Sequence, residues 1–178
     1  MQGKATLAGH PIHPILITFP IGCFVASVIS DIIFLASGSS FWGAMSMWLA
    51  GFGVVGGLLA AFSGFVDYLS APMSTQARTV ANWHATLNLG VVILFAVAFA
   101  VRYFDQASTW GHVATLIGFC LLLVSGVLGG QLAHRYLVGS SEEDLGMQRT
   151  ALDENAAMSP TERIARDRER AGVTKGKI

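Results

Sequence analysis

The charges of this chain leave long gaps. Between Lys4 and Asp31 lie 26 uncharged residues, and between Asp31 and Asp67 lie 35. Between Arg78 and Arg102 lie 23, and between Asp105 and Arg135 lie 29. A helix that crosses a bilayer needs about 20 mostly apolar residues. In hydrocarbon every backbone N–H and C=O must pair inside its own segment, so runs of this length are helices. The second gap opens with the turn signal Ser37-Gly38-Ser39-Ser40 and then holds one span. The pattern predicts four helices, roughly Ile15–Leu35, Ala44–Leu69, Ala81–Val101 and Val113–Leu132. A barrel would need strict period-two alternation, which Gly118-Phe-Cys-Leu-Leu-Leu-Val lacks. The fold class expected is therefore all-α, an integral membrane four-helix bundle.

Composition sharpens the division of the chain. Only 12% of the residues are charged, against roughly a quarter in soluble domains. Residues 1–138 hold Lys4, Asp31, Asp67, Arg78, Arg102, Asp105 and Arg135, and every other charge lies in 139–178. We therefore expect a membrane domain over 1–138 and a polar tail over 139–178. In the tail, Ser159-Pro160-Thr161-Glu162 is a capping box with proline at the first helical position. It predicts a short solvated helix near 160–171. Basic and acidic residues balance at net charge zero, which gives no support to nucleic-acid binding.

Four spans put both termini on one side. That side carries Lys4, Arg78, Arg135 and Arg149, whereas the other has Arg102 beside Asp105. The positive-inside rule then makes both termini, and the tail, cytoplasmic. Phe41, Trp42, Tyr103, Phe104 and Trp110 would form one aromatic belt, and Tyr68, Trp83 and Tyr136 the other. The first apolar run exceeds a secretory signal core and contains Pro20 and Asp31, so it is expected to be retained.

Small residues at spacing four offer close helix contacts. They are Gly53 with Gly57, Ala60 with Gly64, Ser125 with Gly129, and Gly126 with Gly130. A hairpin duplication is hinted at by His13 and His84, each opening the first helix of a pair. The second helices carry Leu58–Gly64 and Leu121–Gly126, which share Leu-x-x-x-Ser-Gly.

Histidines concentrate at the helix ends on the terminal side. His10 and His13 lie in Gly9-His10-Pro11-Ile12-His13-Pro14, where the prolines argue for a stiff loop. His84 starts the third helix and His134 ends the fourth, and Asp67 closes the second at the same depth. Ionisable groups in or beside spanning helices carry a large desolvation cost, so a functional role is the default. Neutral imidazole is a ligand for haem iron and for divalent metals. His10, His13, His84 and His134 are thus candidate cofactor ligands, and with Asp67 candidate ligands for zinc or iron. Asn88, Gln131 and Arg135 would support them from behind, and Arg78 or Arg135 could meet haem propionates. The competing reading is that these histidines only meet lipid headgroups or fill helix ends. His112 is expected to be structural, with Asp31 as its one visible partner. Cys23 and Cys120 are expected to pack as small apolar residues. Phosphate loops, HExxH, CxxC and Gly-x-Ser-x-Gly are all absent from the sequence.

The stretch Gly9-His10-Pro11-Ile12-His13-Pro14-Ile15-Leu16-Ile17-Thr18-Phe19-Pro20-Ile21-Gly22 resembles the hallmark of a bacterial membrane family, domain of unknown function 2231. The likeness continues through Asp31, Gly64 to Tyr68, His84-x-x-x-Asn88 and Gly129 to Gly139. It includes His134-Arg135-Tyr136-x-Val138-Gly139 and covers about residues 5–140. The resemblance implies a four-helix domain of the bacterial inner membrane with no established activity. Relatives joined to a Rieske iron–sulfur domain imply a link to electron transfer. Residues 139–178 lack the cysteines and histidines for such a cluster, so a redox partner would be a separate protein. Two functions are therefore expected to compete. One is an electron-transfer subunit holding haem b or a divalent metal. The other is a non-enzymatic assembly or interaction subunit that docks a partner, lipid or quinone.

Overall fold

A computed structural model describes residues 6–7, 10–138, 146, 150 and 153–170. Four long helices carry most of it: α1 (Ile12–Ser37), α2 (Ser40–Ser70), α3 (Thr75–Phe104) and α4 (Thr109–His134). Each is long and apolar enough to cross a membrane. A two-residue antiparallel pair, β1 (Thr6–Leu7) with β2 (His10–Pro11), precedes α1. The tail helix α5 (Pro160–Arg170) belongs to a second compact unit, residues 140–178, distinct from the unit of residues 1–139.

Every span runs further than the charge gaps indicate. Apolar runs stop where polar residues begin, but a helix continues into the interface while its ends find caps. Ser74 accepts a hydrogen bond from the Ala77 N–H at 3.2 Å and lets α3 start at Thr75. Gly38 takes a left-handed φ of 68° and returns its N–H to the Phe34 carbonyl, which ends α1. Helix α1 starts at Ile12 and takes in His13 and Pro14, so the stiff loop expected across both histidines is shorter. Proline is tolerated there because first-turn N–H groups have no helical partner.

The helices form an up-down ring in chain order, with α1 packed on α2, α2 on α3, α3 on α4 and α4 on α1. The centre is narrow. Phe24 of α1 and Phe95 of α3 stack across it with ring centroids 4.0 Å apart and planes at 24°. Ala50, Val91 and flanking Val28, Val54, Phe99, Leu121 and Leu122 complete this core. Large apolar residues such as Phe19, Phe62, Leu69 and Val127 point outward, as lipid-facing positions do.

Glycines admit the core rings. A Cβ on Gly53 would collide with the Phe24 ring, and one on Gly118 would come within 3.0 Å of the Phe95 ring. Gly64 and Ser125–Gly129 likewise lie against inward side chains. Gly126 and Gly130 have nothing within 4 Å of a built Cβ, so this expected packing pair faces outward instead.

These contacts repeat. His84, Phe95 and Arg102 each stand 71 positions after His13, Phe24 and Asp31. Their contacts on the second helices, Gly111, Gly118, Ser125 and Gly129, each stand 65 after Ser46, Gly53, Ala60 and Gly64. The α1–α2 and α3–α4 hairpins are thus equivalent about an axis that passes between Phe24 and Phe95. The Leu-x-x-x-Ser-Gly likeness implied a different register, with Ser63 against Ser125. The packing places Ala60 there, about one helical turn away.

Candidate functional site

The axis has a polar group at each end. At the terminal end, where α1 and α3 begin, His13 and His84 occupy equivalent positions. His13 Nδ1 lies 2.8 Å from the Ala60 carbonyl of α2, and His84 Nδ1 lies 3.0 Å from the Ser125 carbonyl of α4. A carbonyl only accepts, so both rings carry their hydrogen on Nδ1 and donate. Each imidazole lies on a glycine: a Cβ on Gly64 would sit 2.8 Å from His13 Nδ1, and one on Gly129 would sit 2.9 Å from the His84 ring. Helix spacing explains the local arrangement. A carbonyl and a glycine four residues apart lie on one face, so the same strip both holds and admits the ring.

Asn88, one turn along α3, directs its side-chain amide to His84 Nε2 at 3.0 Å, as the spacing indicated. The other sequence candidates are placed differently. His134 is exposed at the last residue of α4, and Gln131 is half-buried. Arg135 is exposed and lies over the Tyr136 ring at 5.6 Å, and Arg78 lies over Tyr68 at 5.1 Å. Asp67 is half-buried near the end of α2. The side chain of His10 falls outside the described residues. Among the described residues no three His, Cys, Asp or Glu side chains gather as a metal-binding group.

The loop end holds the group that sequence reasoning missed. Arg102 was expected on the surface beside Asp105. Instead it is 1% exposed and enters the bundle. Helix α3 continues to Phe104, and Arg102 falls on its inward face. Its Nη2 donates to Asp31 Oδ2 at 2.6 Å, to Thr115 Oγ1 at 2.6 Å and to the Gly111 carbonyl at 3.2 Å. Its Nη1 donates to Ser46 Oγ at 2.5 Å. Gly111 is required here, since a Cβ would come within 2.7 Å of the Arg102 side chain. Ser46 also closes a clamp between α1 and α2: Ser27 Oγ donates to the Ser46 carbonyl at 2.8 Å and Ser46 Oγ to the Ser27 carbonyl at 2.9 Å. His112 Nδ1 completes the group at 3.0 Å from Asp31 Oδ1. A buried ion pair needs its other donors and acceptors engaged, and four helices share that task here, although Arg102 Nε is left without a hydrogen-bond partner among the described residues. The signal was present in the sequence: the His13-to-His84 offset, applied to Asp31, lands on Arg102.

Comparison with known proteins gives one match. The family model described as predicted membrane protein (DUF2231) matches residues 9–142. No curated protein and no solved structure matches the chain.

Proposed function

We propose a function from one premise: the chain belongs to the predicted membrane protein family DUF2231, and its paired imidazoles are ligands. In this reading the bundle is an electron-transfer subunit with a b-type haem held by His13 and His84. The matched Nδ1 hydrogen bonds carry the proposal. A ligating histidine characteristically donates its other ring N–H to a carbonyl, which fixes the ring and leaves Nε2 for the metal. Both rings have this tautomer, on different hairpins, about one axis.

The number of donors separates the two cofactor classes. Zinc sites use three or four protein ligands, whereas haem iron takes two axial ones. At the terminal end two imidazoles, His13 and His84, turn inward, and among the described residues no group of three donors forms. The residues therefore fit haem better than a divalent metal. Arg78 and Arg135, exposed at the same end, are available to propionates. Asn88 holds His84 Nε2 and would have to turn aside. The bound iron would supply reversible one-electron chemistry, and a separate redox protein would exchange the electron. The proposed setting is a bacterial inner membrane with both termini in the cytoplasm. The inward turn of Arg102 removes the one basic residue assigned to the opposite face, in favour of that orientation.

One observation favours a second reading. Both nitrogens of His84 are hydrogen-bonded inside the bundle, by Ser125 and Asn88. The imidazoles would then be interhelical staples, and the protein an assembly subunit. Purification in detergent, with an absorption spectrum and metal analysis, decides between them. The haem reading expects a Soret band and stoichiometric iron, both lost in His13→Ala and in His84→Ala. A colourless, iron-free wild type overturns it, and zinc in that sample transfers the site to the divalent alternative.

A further inference from the structure

The loop-end group takes no part in the function proposed above. Asp31 lies 18 residues beyond His13 on α1, about 27 Å along the helix. The Arg102 guanidinium stays charged in proteins, and Asp31 faces it at 2.6 Å. These two charges sum to zero. His112 is the third ionisable member, and its presence is not needed to balance them.

Its ring is fixed in a definite sense. A carboxylate oxygen only accepts, so His112 Nδ1 carries the hydrogen and donates to Asp31 Oδ1. In the neutral ring the lone pair is then on Nε2. That atom is buried and has no hydrogen-bond partner among the described residues. A carboxylate behind Nδ1–H, with Nε2 unengaged, is how proteins orient an imidazole to accept a proton. The groups on all sides are few. Helix α1 presents Asp31, and the Phe34 ring has its centroid 5.8 Å from that of the imidazole. Helix α3 presents Arg102. Helix α2 presents the neutral Ser46 hydroxyl, and its own ionisable residues, Asp67 and Tyr68, are at the other end. Helix α4 adds the Thr115 hydroxyl and the Gly111 carbonyl. Tyr103 and Asp105, next in sequence, are exposed.

We propose that His112 Nε2 is a proton-binding site at the loop end of the membrane domain, with Asp31 as its counter-charge and Arg102 as the fixed charge that anchors Asp31. The proton adds to the Nε2 lone pair, Nδ1 keeps its hydrogen, and the cluster passes from net zero to one positive charge. No other bond forms or breaks. His112 is in the first turn of α4, so exchange is with the water on the loop side.

Imidazole nitrogen NMR on the full chain, isotope-labelled at histidine and held in detergent micelles, tests this. The His112 signals are those missing from His112→Gln. Over the pH range in which the protein stays folded, acidification is expected to convert them from the Nδ1–H neutral pattern to the imidazolium pattern. In Asp31→Asn the strict Nδ1–H preference is expected to relax toward a tautomer mixture. A His112 ring that keeps one protonation state across the range, or rests as the Nε2–H tautomer, overturns the proposal. The wild-type titration decides alone if Asp31→Asn does not fold.

Discussion

Asp31 and Arg102 occupy equivalent positions in the two hairpins and meet at 2.6 Å. The repeat thus places an acid in one half where the other half has a base. Arg102 is 1% exposed, and it is also bonded to Ser46, Gly111 and Thr115. Removing Arg102 leaves the Asp31 carboxylate buried with only His112 and Ser46 to face it, and removing Asp31 leaves the guanidinium with neutral acceptors only. Arg102→Met is expected to cost about 3–5 kcal/mol of stability, and Arg102→Met with Asp31→Leu distinctly less. Unfolding of the detergent-solubilised protein measures both.

The glycines separate inward from outward positions. Gly64→Ala and Gly129→Ala push a methyl into an imidazole and are expected to cost about 1–3 kcal/mol. Gly126→Ala and Gly130→Ala meet nothing and should stay within about 0.5 kcal/mol. The same unfolding measurement ranks the four. Equal costs across the series would contradict the assigned helix faces.

Phe24 and Phe95 fill the centre together. Truncating either to Ala is expected to cost about 3–5 kcal/mol through the cavity it opens. Because the rings touch, the double variant should depart from additivity by about 0.5 kcal/mol or more. A double-mutant cycle reads this directly.

The histidines should divide by placement. His134 is exposed, so His134→Ala is expected to leave stability within about 0.5 kcal/mol and any cofactor spectrum unchanged. His13→Ala and His84→Ala should alter both, to similar degrees, as equivalent positions require. Thermal unfolding and absorption on the same preparations check this.

The tail helix has a pH dependence of its own. Glu162 Oε2 accepts from Ser159 Oγ at 2.7 Å and from the Ser159 N–H at 2.8 Å. These bonds, the hydroxyl first, hold its carboxyl below the usual carboxylate range. A depressed folded value adds stability above the unfolded value, lost as pH falls through the folded one. The start of α5 should therefore fray below the ordinary carboxylate range, and Ser159→Ala should bring the Glu162 titration back toward normal. A carboxyl-carbon NMR titration checks both.

Much of the fold was legible because charge is excluded from hydrocarbon, so the gaps between charges outline the spans. Helix ends were not, since Ser74 and Gly38 act through cap geometry rather than hydropathy. Asn88 below His84 was legible because residues four apart share a face. Arg102 was misplaced because charge gaps record where a charge interrupts the chain, not which way it points. His112 was read as structural with Asp31 as its one visible partner, and the packing brings the two to 3.0 Å; its position inside the Arg102 group was not legible, because charge gaps do not show which face a residue takes. The repeat was visible in two histidines, but its register depended on knowing which glycine receives which ring.

The hairpin equivalence has a consequence for how the halves recognise each other. Two copies of the first hairpin would oppose carboxylate to carboxylate on the axis, and two copies of the second would oppose guanidinium to guanidinium. Only the mixed pairing is neutral. At the axis, where equivalent residues meet, identity between the halves would oppose like charges, so this position has to differ between them for the ion pair to form.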